Sequence, residues 1–252
     1  MTRGPVAFLT LNRPEAGNAM TWAMYDALAH ACERVDAAPE LRAFVIRATG
    51  PVFCTGTDIS QFASFATRED GLEYEGRLES SVARLERVTI PTIAQVEGIA
   101  AGAGCAIALA CDLRVCSPAA RFGVPIARTL GNGLSFENCA RLVEHFGIGR
   151  TKTMLITGAF VDAAEAAASG VVARLADPEA VARAVDDLTA TIVRNAPLTI
   201  RAAKKALGRL RVQGRQDAGE IADLVADCYA SADFREGVSA FLSKRKPTFT
   251  GR

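Results

Sequence analysis

The chain reads as an α/β core that carries a helical C-terminal region. Three observations predict this class. Apolar, β-branched runs that read as strands alternate with helical patterns as far as Ser135. Beyond Ser135 the pattern is helical throughout, apart from one short run, "GVVARL" at 170–175. Two of the early strands leave through glycine-rich turns, "FCTGTD" and "AAGAGC", and each turn leads into a helix.

The elements follow in order. Val6–Leu11 is a strand, stopped by "NRP". The stretch from Asn18 to Thr21 opens a helix in which Met24, Leu28, Ala31, Cys32 and Val35 recur at helical spacing. Residues 43–49, "AFVIRAT", form a compact strand, and Gly50, Pro51 and Gly56 break the chain after it. From Ile59 to Val88 the pattern is helical but polar, and its charged middle, "TREDGLEYEGR", is the weakest part. A single strand is expected over 92–100, then a short buried helix, "CAIALAC", and a further strand over 112–117.

The bulk numbers exclude several classes. In 252 residues, 29 positive charges meet 28 negative ones, which leaves no global field to hold nucleic acid. No window offers the ~18 uninterrupted apolar residues of a membrane span, and the N-terminus has no secretory pattern. Seven cysteines are scattered without a C-x-x-C pair, so a metal site is not expected. Cys105, Cys111 and Cys116 are expected as buried, reduced thiols, and the setting as cytoplasmic.

The two glycine turns carry the chemistry that the sequence offers. At a strand-to-helix turn the first amides lack an intrahelical acceptor and lie at the positive end of the helix dipole. Two such ends side by side would form an oxyanion hole, in which one donor is typically worth ~3–4 kcal/mol of transition-state stabilisation. The same glycines also fit a plain packing role. A dinucleotide site fails, because "GAGCAI" holds Ile107 at the third glycine position and the next acid, Asp112, comes too soon.

Taken together, five stretches resemble the crotonase superfamily, the enoyl-CoA hydratase/isomerase family. They are "LTLNRPEAGNAM", "FCTGTDIS", "PTIAQVEGIAAGAGCAIALACDLRVCSPAARFGVP", "ITGAFVDAAEAAASGVV" and "DFREGVSAFLSKRKPTF". The resemblance implies a spiral of ββα units over residues 1–195, with a helical region over 196–252 that builds a homotrimer or a dimer of trimers. It implies an acyl-CoA substrate whose thioester oxygen lies between the amides of Thr57 and Ala103. Coenzyme A enters only as part of that substrate, and no other cofactor is implied. Gly56, Asp58, Ile59 and Ser60 would line the bound thioester on one side, and Gly102 and Gly104 on the other. Phe241 and Lys244 would reach the adenine of a neighbouring subunit's CoA; without the resemblance they read as a core aromatic beside a solvated lysine. Glu15 stands where the family often has a basic residue, which leaves Arg13 for a phosphate contact. The strand that usually precedes "VAFLTL" is expected to be missing.

The departures from the family pattern matter most. The two glutamates of the hydratases fall at Ala106 and Ile126 here, so the usual two-carboxylate dyad is absent. A positioned acid/base group is worth roughly 10²–10⁴ in rate. Glu137, with Ser135 as its helix cap, is the leading replacement, although it also fits a first-turn glutamate stabilised by the helix dipole. Asn132 and Asn138 are possible donors to substrate. Tyr74, Glu75 and Glu79 share a helix face that is expected to be solvated, since a charge run normally faces water. Asp58 and Asp112 are expected to act structurally, as are His30 and His145. The expectation is an acyl-CoA enzyme of enoyl-CoA hydratase/isomerase type. An isomerase, hydrolase or decarboxylase, or a CoA-ester-binding protein without turnover, are the alternatives.

Overall fold

The structure is a computed structural model and describes residues 1–212, 226 and 228–248. Its main sheet has six strands in the order β1-β2-β3-β4-β6-β9. These are β1 (Thr2–Arg3), β2 (Val6–Leu11), β3 (Ala43–Ala48), β4 (Thr92–Val96), β6 (Leu113–Cys116) and β9 (Arg174–Leu175). From β2 onward all neighbours are parallel, with Val6 opposite Ala43, Phe44 opposite Thr92 and Ile93 opposite Leu113. A second sheet holds β5 (Ile99–Ala101), β7 (Arg121–Gly123) and β8 (Val161–Asp162).

Both faces of the parallel sheet are buried, and the period-2 alternation decides which residue faces which layer. Val6, Phe8, Ala43, Val45, Ile93 and Val115 pack on α7 (Val181–Arg194) through Val181, Val185 and Ile192. Their neighbours Ala7, Phe44, Ile46, Ala94 and Cys116 face the larger core, built with α1 (Trp22–Asp36), α2 (Arg68–Glu86) and α3 (Ala103–Ala110). Further helices among the described residues are α4 (Ile126–Thr129), α5 (Phe136–Thr157), α6 (Ala163–Ala168), α8 (Pro197–Val212) and α9 (Ala232–Leu242). The helical expectation over 213–225 lies outside the described residues.

Four expectations are corrected. The chain does have a strand before β2: Gly4, at φ 55°, turns β1 back antiparallel onto it. The single strand expected over 92–100 is two strands in different sheets, broken at Gly98 with φ 71°. A Cβ on Gly98 would sit 2.0 Å from the carbonyl oxygen of Pro51, so the break also lets the "FCTGTD" loop pass. β7 and β8 are strands that the pattern did not show, because two- and three-residue runs carry no periodicity. Finally, 59–88 is not one helix. A 3-10 turn over Ile59–Phe62 comes first, and α2 starts at a capping box in which Thr67 accepts from the Asp70 amide and Asp70 accepts from that of Thr67.

Candidate active site

The two glycine loops lie back to back. Cys54 N donates to Ile99 O at 3.0 Å and Ala101 N to Cys54 O at 2.8 Å, which ties "FCTGTD" to β5 like an extra strand. Gly104 permits that contact, since a Cβ there would lie 2.3 Å from Cys54 O. Gly102 adopts φ 49°, and a Cβ on Gly56 would come 3.9 Å from the Ala103 amide nitrogen. The loop that carries Thr57 therefore passes beside Ala103. Among the described residues neither of their amides has a protein acceptor. Ala103 opens α3, and its methyl is accommodated because its φ is not positive. At the other end of α3, the buried Arg114 guanidinium donates to the carbonyls of Ala108, Leu109 and Cys111. One end of the helix is thus satisfied, and the other has its positive pole free.

A cavity of about 40 Å³ opens at this free end, between α2, α3 and the segment leading into α5. Gly102 and Ala103 form part of its wall, and Ala106, Leu109, Val124 and Ile126 make another part apolar. Ala106 and Ile126 present only hydrocarbon to it. The polar wall comes from Tyr74 and Glu75 of α2, Asn132, and Asn138 and Arg141 of α5.

The expectation that Tyr74 and Glu75 are solvated is overturned: they are 7% and 6% exposed. Gly71, Tyr74, Glu75, Leu78, Val82 and Leu85 form the buried stripe of α2, and Glu75 is the one charged residue in it. Glu75 Oε1 accepts from the Tyr229 hydroxyl at 2.9 Å, and Oε2 from the Ser135 amide at 3.1 Å. Tyr229 reaches it because Gly71 has no side chain; a Cβ there would meet the Tyr229 ring at 2.2 Å. Burial pushes the Glu75 pKa up to about 7, against the lowering effect of these hydrogen bonds. No cation is hydrogen-bonded to it among the described residues, because Arg141 is committed to Glu86 at 2.7 Å and Glu79 at 3.0 Å.

Asn132 is a possible donor no longer. Its Nδ2 is already spent on Gly133 O at 2.9 Å and the Tyr229 hydroxyl at 3.2 Å. What remains open is its buried Oδ1, which has no partner among the described residues. Asn138 is committed to Ser135 and Arg141. Glu137 lies half-buried in the first turn of α5, where Ser135 caps the helix as expected, and it is not part of the cavity wall.

The other expected residues lie around this centre. Thr57 Oγ1 bonds the hydroxyls of Tyr25 at 2.6 Å and Tyr74 at 2.8 Å, which pins its loop to α1 and α2. Asp58 pairs with Arg13 at 2.6 Å and bonds Ser60; these bonds outweigh its partial burial and hold its pKa below the usual carboxylate range. Arg13 is therefore committed within the protein. Ile59 is half-buried and Ser60 exposed at the 3-10 turn. Asp112 accepts from the amide and hydroxyl of Thr92. Phe241 is 53% exposed on α9, so it is not a core aromatic, and Lys244 follows it in a left-handed turn at φ 54°. Cys105, Cys111 and Cys116 are buried thiols, and none of the seven cysteines is in a disulfide. Among the described residues no helix is long and apolar enough to cross a membrane.

The chain is similar to known proteins along its whole length. The enoyl-CoA hydratase/isomerase family profile matches residues 2–252. A probable enoyl-CoA hydratase of Mycobacterium leprae is 34% identical over 254 residues, spanning 98% of this chain and 95% of that protein. A solved enoyl-CoA hydratase/carnithine racemase from Magnetospirillum magneticum superposes with a TM-score of 0.80 at 29% identity, covering 100% and 94% of the two chains. A methylmalonyl-CoA decarboxylase in complex with 2-nitronate-propionyl-CoA gives 0.91 at 26% identity, covering 100% and 97%.

Proposed function

We propose, on the premise that the chain belongs to the enoyl-CoA hydratase/isomerase family, that it binds a short acyl-CoA thioester and stabilises the acyl group as its enolate. Its fold is the crotonase fold of its solved relatives. The thioester oxygen is held by the amides of Thr57 and Ala103. The observation that carries this is the pair of amides on adjoining loops that have no acceptor among the described residues, with Ala103 in the wall of one cavity. As negative charge develops on the oxygen, fixed donors and the positive end of α3 stabilise it without reorganising. The small cavity favours a short acyl group. Coenzyme A is the only coenzyme and arrives with the substrate.

Hydration or allylic isomerisation of an unsaturated thioester is the first reading, supported by the names of the relatives. Hydrocarbon at Ala106 and Ile126 removes the two-glutamate route to it. Decarboxylation is the second reading, favoured by the likeness to the decarboxylase at a TM-score of 0.91. It also forms an enolate, and needs no base to do so.

The test uses purified protein with crotonyl-CoA, but-3-enoyl-CoA and methylmalonyl-CoA, with products identified by mass spectrometry. Hydration adds water, decarboxylation loses CO₂, and isomerisation keeps the mass while creating the conjugated absorbance. Turnover of an unsaturated thioester is the expected result. Turnover of none of the three, together with no binding of butyryl-CoA, would overturn the proposal.

A further inference from the structure

Building on that functional reading, we propose that Glu75 is the group that moves the proton in this active site, with the Asn132 carbonyl oxygen holding the water that reacts. Three independent observations point there. First, Glu75 is the only carboxylate among the described residues that line the cavity, and Gly102 and Ala103 form part of the same wall. Second, it is held in place without being neutralised. Tyr229 takes a lone pair on Oε1 and the Ser135 amide one on Oε2, the Ser135 hydroxyl is a third hydrogen-bonding neighbour, and the roughly four acceptor sites of a carboxylate leave room for one more donor. Third, Asn132 lines the same cavity, and its buried Oδ1 has no hydrogen-bond partner among the described residues. Its amide cannot be turned round, because Gly133 O, to which Nδ2 donates, can only accept. An orphaned acceptor at a cavity wall calls for a donor from the ligand side. A water donating one hydrogen to Glu75 and the other to Asn132 supplies it.

The step balances with one acid/base group. The water oxygen adds to C3 of the 2-enoyl thioester and its proton passes to the Glu75 carboxylate. The C2=C3 electron pair moves toward the carbonyl, giving an enolate held at Thr57 and Ala103. Protonated Glu75 then returns that proton to C2, and the enolate collapses to the 3-hydroxyacyl thioester. On a 3-enoyl thioester, the same carboxylate takes a proton from C2 and returns one to C4. Neither sequence needs the positions now held by Ala106 and Ile126.

The charged and titratable groups facing Glu75 are Glu79 on the next turn of α2, Arg141 and Cys139 on α5, and the hydroxyls of Tyr229, Tyr74 and Tyr25. The Tyr229 hydrogen bond lowers the Glu75 pKa. Removing it in Tyr229→Phe, a positioning change, should therefore raise the ionisation seen in kcat/KM.

The experiment compares wild type, Glu75→Gln, Asn132→Leu and Tyr229→Phe. It measures crotonyl-CoA turnover, butyryl-CoA affinity, and exchange of the butyryl-CoA C2 hydrogens with solvent deuterium. Wild type should exchange. Glu75→Gln should lose about 10²–10⁴ in turnover and all detectable exchange, with butyryl-CoA affinity held within about threefold. Asn132→Leu should lose about tenfold or more in hydration yet retain exchange, because no water takes part in the latter. If Glu75→Gln fails to fold, Tyr229→Phe decides the matter: an unmoved acid limb in kcat/KM overturns the assignment. Turnover and exchange in Glu75→Gln within about threefold of wild type would overturn it as well, and so would loss in Glu137→Gln instead. Wild type that binds butyryl-CoA but neither exchanges nor hydrates overturns the role of Glu75 and leaves thioester binding standing. Failure to bind butyryl-CoA overturns the functional reading itself.

Discussion

Glu75 occupies a position on α2 where an apolar side chain would cost the fold less. A buried carboxylate without a cation is disfavoured in its charged form, and here the displacement is from the ordinary 4.5 to about 7. The consequence for stability has a definite sign. Below pH 4.5 the carboxyl is protonated in both the folded and unfolded states, and its contribution is complete. Between pH 4.5 and 7 only the unfolded chain releases the proton, so stability falls as the pH rises, and it levels off above 7. The loss should be about 3 kcal/mol. Urea denaturation of wild type and Glu75→Gln at pH 5 and pH 8 will check this. The mutant should lose less stability across that interval than wild type, and equal losses would mean that Glu75 ionises normally. A group that costs this much and yet lines the cavity beside Ala103 has the profile of a functional side chain.

Among the elements, the short buried helix α3 organises the site, and its two ends are treated differently. Arg114 closes the carbonyl end from inside the core, while the amide end faces the cavity. The glycines at that end have separate tasks. Gly102 supplies a backbone angle of φ 49°. Gly104 supplies absence of volume, because Cys54 O would lie 2.3 Å from a Cβ. Both partners in that contact are backbone, which cannot rotate away, so Gly104→Ala must push the two loops apart. Overpacking of ordinary cores costs ~1–3 kcal/mol, and Gly104→Ala should reach the top of that range in urea denaturation. It should also reduce turnover more than Gly76→Ala, where the added methyl meets nothing. Equal effects of the two substitutions would show that the loops do not need to touch.

At the scale of the molecule, the C-terminal segment comes back over the site. Tyr229 and Phe234 pack with Phe62, Phe65 and Tyr74, and Gly237 lies so close to Leu130 that a Cβ would be 2.3 Å from its carbonyl oxygen. The outer side of α9 leaves Phe241 and Leu242 at 53% and 50% exposure, and Ile156 of α5 stands at 75%. Large apolar side chains in the open favour association. The trimer, single or doubled, implied by the family resemblance is the assembly we propose. Sedimentation equilibrium should give a mass of three or six chains, and Phe241→Asp should shift it toward the single chain. A monomeric wild type would rule the assembly out.

How much of this was legible beforehand follows from the reach of each signal. Local pattern decided β2, β3, α1 and the Ser135 cap, since apolar spacing and capping chemistry are properties of neighbouring residues. The glycine turns at Gly56 and Gly102–Gly104, and the apolar residues Ala106 and Ile126, were also visible there. A sign for Glu75 was present as well, as one acid in the stripe Gly71, Tyr74, Leu78, Val82, Leu85, but the charges around it drew the helix toward solvent. Whether that stripe faced water depended on α3, α5 and Tyr229, more than 150 positions away in the last case. The same holds for the split of 92–100, which follows from the passage of Pro51 beneath Gly98. The sequence by itself determined β2, β3, α1 and the glycine turns. Only the tertiary structure decided which carboxylate is buried against the cavity, because burial and an unpartnered acceptor depend on what the rest of the chain packs against them.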